Sequence, residues 1–495
     1  MAAQGLKGKL ARGAAWVAAS RVLINLIGFG NTLVLARLLT PADFGIVAIA
    51  STVSFVVSAL TELSLSQSLI QHRSPQDEHF HSAWTLNLCR SSILATLIML
   101  LAWPIAWLYS EPRLGPIMLV IGGGALLTGL TNPKLVTFQR NLVFWQDFVL
   151  NVSQRAVGLA FAVVVALVFR NYWAIVAGII ATQVSAVALS FLFVRYRPKL
   201  QLRRARELLS FSVWLSLGQA VNTLNWRSDH LAIGYFLGGT ALGHYTVGDS
   251  LAILPTREAT APIAQTLFPG FSRINDDRQR LRNAYQRAQT LLCAVALPVG
   301  FTFALIAKPL VLLTMGAKWL PAVLIIQFLS GIFAVQTLAS SLQPLAMAMG
   351  ATRSLFKRDL VNLGIRIPLI IVGMVFYGVP GVVLARCVSG TANTLVNMAM
   401  VRRLLGLPIR AQIAANARAL ISTVVMVVLV SAVDRWVGEG TAPLFLVSEI
   451  AILLFAAILT YLACTASLWT IAGKPAGPES EVVSLLSVVL RRRSA

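Results

Sequence analysis

Apolar stretches of about twenty residues recur along this chain from Gly13 to Thr470, separated by short polar turns. Twenty helical residues rise about 30 Å, the thickness of the hydrocarbon core of a bilayer. In that solvent every backbone N–H and C=O must be satisfied internally, so segments of this kind are helices. The pattern predicts fourteen spans, near residues 13–36, 44–69, 83–109, 115–138, 147–169, 172–194, 208–236, 243–270, 287–314, 321–350, 357–378, 381–404, 413–433 and 444–470. With 12% charged residues in 495, no polar stretch is long enough for a soluble domain. The first apolar run follows Lys7, Lys9 and Arg12 and outlasts the h-region of a signal peptide, so it is read as an uncleaved helix.

A net charge of +23 would suggest nucleic acid in a soluble protein, but here the charges fall between the spans. Alternate loops hold 27 basic residues on one side and five on the other, the five being Arg37, Arg113, Arg170, Lys318 and Arg435. Such a bias places the rich side, and both termini, in the cytoplasm. The basic linker 195–207 is expected along the inner surface near anionic headgroups. The opposite loops are short, which argues against a glycan polymerase or ligase. Cys89, Cys293, Cys387 and Cys464 lie in apolar segments without metal-like spacing and read as buried, inert side chains.

One local pattern occurs twice. "LARLLTPADFGIVAIA" begins at Leu35 and "IGYFLGGTALGHYTVGDS" at Ile233, with Leu39, Phe44 and Gly45 matched by Leu237, Leu242 and Gly243 at an offset of 198. A weaker echo pairs Phe144 and Asp147 with Phe356 and Asp359. Six spans separate the two corners, so both enter the membrane from the same side, as in a parallel repeat. The expectation is an all-α membrane protein of two pseudo-symmetric six-helix bundles, residues 1–194 and 208–405. Two further helices (406–470) and a cytoplasmic tail (471–495) follow. Facing bundles make a cleft that opens to either side, which favours transport over catalysis.

Polar faces of spanning helices point away from lipid. Arg21, Asn25, Gly28 and Thr32 share a face of the first span, Ser54, Ser58, Thr61 and Glu62 lie on the second, and the seventh and eighth run from Ser212, Ser216 and Gln219 to Asp249 and Arg257. An arginine at mid-bilayer costs about 2.5–3.5 kcal/mol, so a retained one has a partner or a task. Arg21 either snorkels to the inner surface or faces the cleft. Arg257 and Arg366 lie deep enough to hold substrate or to close an internal salt bridge, for instance Arg257 with Glu62. Arg227 holds substrate, pairs with Asp229 or reaches the outer surface. Arg90 and Arg155 read as structural and Arg386 as a snorkeller. Glu62 and Asp249 serve either a coupling cation or an arginine. His72, His79 and His81, with Asp77 and Glu78, form a polar loop read as a solvated face rather than a metal site. No nucleophile, Walker A or dinucleotide pattern is present, so neither an enzyme nor a cofactor is expected. A cationic, wet cleft suits a lipid whose diphosphate binds guanidinium groups while its sugars fill the polar space.

Together with "SLIQ", "HSAWTLN", "LFPGFSRINDDRQRLRNAYQRA" and "GAKWLPAV", the two corners resemble the Wzx-type oligosaccharide-lipid flippases of the multidrug/oligosaccharidyl-lipid/polysaccharide exporter superfamily. The resemblance runs from about Gly13 to Leu405 and implies transport of undecaprenyl-diphosphate-linked repeat units for O-antigen, capsule or exopolysaccharide. It further implies a bacterial inner-membrane monomer that works beside a polysaccharide polymerase and binds no nucleic acid. Relatives tend to carry an Asp-Leu-Gly-Leu pattern where this chain has "ELSLSQSLIQ"; Glu62 keeps the acid. The alternatives within the superfamily are a cation-coupled multidrug exporter and a lipid II flippase.

Overall fold

The computed structural model describes residues 2–62, 65–71, 75–140, 144–205, 213–438, 440–475 and 477–480, and among them no strand occurs. His72, Ser212 and the 481–495 tail lie outside the described residues, as do the side chains of Ser216 and Gln219. Two compact units form, Met1–Thr246 and Val247–Ala495.

The first unit contains α1 (Ala2–Leu38), α2 (Pro41–Leu60), α3 (Leu65–Gln71), α4 (Asp77–Leu108), α5 (Leu114–Gly129), α6 (Val136–Arg140), α7 (Phe144–Phe169), α8 (Trp173–Phe193) and the first part of α9 (Val213–Ser272). The second continues from α9 into α10 (Arg278–Leu305), α11 (Ala307–Thr314), α12 (Leu320–Gln336), α13 (Leu342–Ala348), α14 (Thr352–Leu405), α15 (Ile409–Ala415), α16 (Ala417–Val437) and α17 (Pro443–Ile471). Every stretch expected to span is helical over most of its length. Among the described residues, ten helices are long and apolar enough to cross a membrane, and α5, at 16 residues, is a shorter apolar helix. α9 and α14 are each broken once, at Gly238 (φ 81°) and Gly378 (φ 60°). Only glycine takes up positive φ there without strain. Trp107 and Trp436, 83% and 87% exposed, are side chains that lipid covers better than water. The molecule is an integral membrane protein.

The first corner is set by side chains. Thr40 caps α2, and the Asp43 carboxylate accepts from the Thr40 N–H at 2.9 Å in a reciprocal box, with Pro41 opening the helix. The same carboxylate, 8% exposed, accepts the Tyr172 N–H at 3.1 Å and ties down the start of α8. Beneath it, Leu35 and Leu39 pack on Ala162, Ala166 and Ala174, small residues that let α7 and α8 approach closely.

The second corner lies against the first. A Cβ on Gly45 would fall onto the Gly239 carbonyl, and one on Gly243 onto the Pro41 carbonyl. Residues 41 and 45 are offset by 198 from 239 and 243, so the two contacts are reciprocal and of two-fold character. Gly238 stands where the first copy has its cap Thr40 and begins the following helix by backbone freedom alone.

In the second unit α16 and α17 pack through Met426, Val430, Leu453 and Ala457. The Tyr461 hydroxyl donates to the Ala294 carbonyl at 2.9 Å, which fixes this pair on α10. A separate cluster of Phe271, Leu281, Tyr285, Leu345 and Leu405 closes the end of the unit where α9 turns into α10.

Candidate functional site

Arg21 and Asn25, one turn apart on α1, are both half-buried. Arg227 on α9 stacks its guanidinium 4.8 Å from the centroid of Phe55 on α2, a cation–π contact that was not among the alternatives read from the sequence. Asp229 is fully buried. It accepts the Tyr245 hydroxyl at 2.6 Å and faces His230 Nδ1 at 3.0 Å. Sequence reasoning missed this cluster. Its signal was the adjacent Asp-His pair inside a spanning segment, where ionisable groups are rare.

Glu62 pairs with an arginine, one of the two roles expected of it. Arg90 on α4 reaches its carboxylate at 2.7 Å while donating to the Thr61 carbonyl at 2.8 Å and the Ser58 hydroxyl at 3.1 Å. The guanidinium thus closes the C-terminus of α2, where the last carbonyls lack helical partners. This contact agrees with the structural reading of Arg90. Arg155 is exposed. Beside the Glu62–Arg90 pair lies a cavity of about 400 Å³ walled by α3, α4, α7 and the α5–α6 turn, and lined in part by Trp84, Asn87, Asp147 and Gln154. None of these four was singled out as a ligand-binding side chain.

In the second unit, Arg257 is exposed and its Nε donates to the neighbouring Glu258 at 2.9 Å. Arg366 is half-buried on α14, twelve residues before the Gly378 break. Arg386, expected to snorkel, is 3% exposed, lies 5.6 Å from the Phe333 centroid and donates to Asp249 at 3.3 Å. A guanidinium that is buried needs an anion beside it, and Asp249 supplies one.

The loop read as a solvated face is partly built into the fold. His79 is 3% exposed and its Nδ1 accepts from the Gln76 N–H at 3.1 Å, starting α4, while His81 meets the Tyr196 hydroxyl at 2.8 Å. Asp77 pairs with Lys134 at 2.7 Å, and Glu78 with Arg203 and Arg204 of the basic linker at 3.1 and 3.4 Å. Among the described residues no three His, Cys, Asp or Glu side chains converge on a common point. Of the cysteines only Cys293 is fully buried, and Cys89 is exposed. In the α4–α5 turn, the Arg113 guanidinium donates to both Glu111 oxygens at 2.7 and 2.8 Å and holds that carboxyl below its ordinary range.

A family model described as polysaccharide biosynthesis protein matches residues 34–324. The lipopolysaccharide biosynthesis protein WzxC of Escherichia coli K12 is 23% identical over 410 residues, covering 81% of this chain and 82% of that one. The succinoglycan biosynthesis transport protein ExoT of Rhizobium meliloti is 24% identical, covering 70% of each. Among solved structures, the lipid II flippase MurJ in an inward closed conformation aligns with a TM-score of 0.72 at 14% identity, over 92% of this chain and 98% of that one. At that identity the likeness concerns the fold.

Proposed function

The chain belongs to the polysaccharide biosynthesis protein family, and from that membership we propose that it is a flippase for lipid-linked oligosaccharides. It carries undecaprenyl-diphosphate-linked repeat units from the cytoplasmic to the periplasmic leaflet of a bacterial inner membrane, with both termini cytoplasmic. The observation that carries this reading is the family match over a helical, membrane-embedded chain whose relatives are named for surface-polysaccharide biosynthesis and transport. The chemistry is translocation, and no bond in the substrate is made or broken.

Fourteen spans in two six-helix lobes (1–194 and 208–405), joined by the linker 195–207, would expose a polar path alternately to each side. The reciprocal main-chain contacts of the two corners support the duplication. Arg21, Asn25, Arg227, Arg257 and Arg366 are the side chains proposed to receive the diphosphate and the first sugars. Guanidinium groups bind phosphate bidentately and keep their charge at any physiological pH. Glu62 and Asp249 are assigned to charge pairing, given Arg90 and Arg386 beside them. The monomer hands its cargo to a polysaccharide polymerase.

A strain deleted for the gene accumulates lipid-linked repeat units on the cytoplasmic side, and the wild-type chain restores export. Arg257→Ala and Arg366→Ala insert normally and each abolish surface polysaccharide. Full export by both variants removes the cationic residues from the mechanism, and a deletion strain without accumulated lipid-linked glycan removes the flippase reading.

A further inference from the structure

The 400 Å³ cavity of the first unit lies within the roughly 300–1,000 Å³ range of ligand pockets. Its walls are fixed before any ligand arrives. The Asn132 amide donates to the Ser190 and Val194 carbonyls at 3.2 and 2.8 Å and accepts the Lys134 N–H at 3.0 Å. The Trp84 indole N–H donates to the Leu130 carbonyl at 3.4 Å, which holds the ring.

The polar groups facing this space are of one kind. Asn87 directs its amide N–H groups at the Thr128 and Gly129 carbonyls, both at 3.4 Å. Gln154 donates to Asn151 Oδ1 at 2.9 Å, and Asn151 donates to the Asp147 carbonyl at 2.8 Å. With their donors engaged, Asn87 and Gln154 offer carbonyl oxygens, and Glu62 and Asp147 add carboxylates. Among the described residues lining the cavity, Arg90 is the one cationic side chain, and it is already committed to Glu62 and the end of α2. A phosphate would meet acceptors where it needs donors. A ring bearing several hydroxyls donates to each acceptor and lays its C–H face on an indole.

We propose that this cavity is a carbohydrate subsite, which seats one hexose-sized unit between Trp84 and the acceptors Asn87, Gln154, Glu62 and Asp147. The inference rests on the flippase reading for its source of sugar, a residue of the glycan carried by the lipid. It assigns part of the selection between glycans to the interior of the first unit.

The test uses the purified full-length chain in lipid nanodiscs and free monosaccharides as probes: glucose, galactose, N-acetylglucosamine and glucuronate, followed by saturation-transfer NMR. At least one neutral sugar receives saturation from the wild type. Binding weakens by about tenfold or more in Trp84→Ala and Gln154→Leu and stays within about twofold in Trp84→Phe. Unchanged melting temperatures show that the variants are folded, and Gln154→Leu decides the matter should Trp84→Ala fail to fold. No bound sugar, or equal binding by the wild type and Gln154→Leu, overturns the subsite, as does displacement of the sugar by sodium chloride or inorganic phosphate alone. Export restored by a wild-type chain that binds no sugar discards the subsite and leaves the flippase. Sugar binding by a chain that does not restore export discards the flippase instead.

Discussion

Asp43 serves two helices with one carboxylate, starting α2 through Thr40 and anchoring α8 through the Tyr172 N–H. Asp43→Ala removes the N3 half of the capping box and leaves the Thr40 and Tyr172 N–H donors without their acceptor, at a cost of about 1–3 kcal/mol each. The variant is expected to melt well below the wild type in detergent, while Asp43→Asn, which keeps an acceptor oxygen, recovers most of the loss. An unchanged melting curve for Asp43→Ala would contradict this account. At this scale the sequence was half readable. Depth along a helix follows from counting residues, which placed Arg386 close to the outer end of its span. The direction in which its side chain leaves the helix was not readable, and that decided between snorkelling and the ion pair with Asp249. Glu62 was likewise recognisable as serving an arginine or a coupling cation, but the sequence did not say which arginine would meet it. Arg90 won because α4 passes the end of α2, a fact of packing.

For whole elements, hydropathy carried almost everything. Spans were legible because lipid leaves a twenty-residue apolar run no other option, and the corner was legible because its spacing repeats. Capping was harder to read in the second copy, where Gly238 replaces a threonine and a long helix is broken without any side-chain signal. The structure adds a reason for the glycines themselves. Gly45→Ala and Gly243→Ala each drive a methyl group into a carbonyl of the other corner, so that main chain has to shift. Overpacking of this kind costs about 1–3 kcal/mol or more. Both variants should show reduced folded yield by fluorescence-detected size exclusion, and to a similar degree because the contacts are reciprocal. A mild effect at one site and a severe one at the other would show that the two corners are not equivalent.

For the molecule as a whole, the direction of transport follows from charge. A diphosphate-linked cargo moving outward across an inside-negative membrane gains about 2.3 kcal/mol per net charge per 100 mV. In proteoliposomes an imposed inside-negative potential should therefore speed outward flipping, and equal rates with and without it would exclude the potential as a driving force. The seam between the corners bears on how such a protein changes its cargo. The join is made from carbonyls and Cα atoms, so it demands glycine at 45 and 243 but little of the side chains around it. Around it the copies have already parted, Thr40 and Asp43 in one against Gly238 and Ala241 in the other, while the spacing of the join persists. Selection can thus rewrite the side chains around the corners without disturbing the atoms that hold them in register.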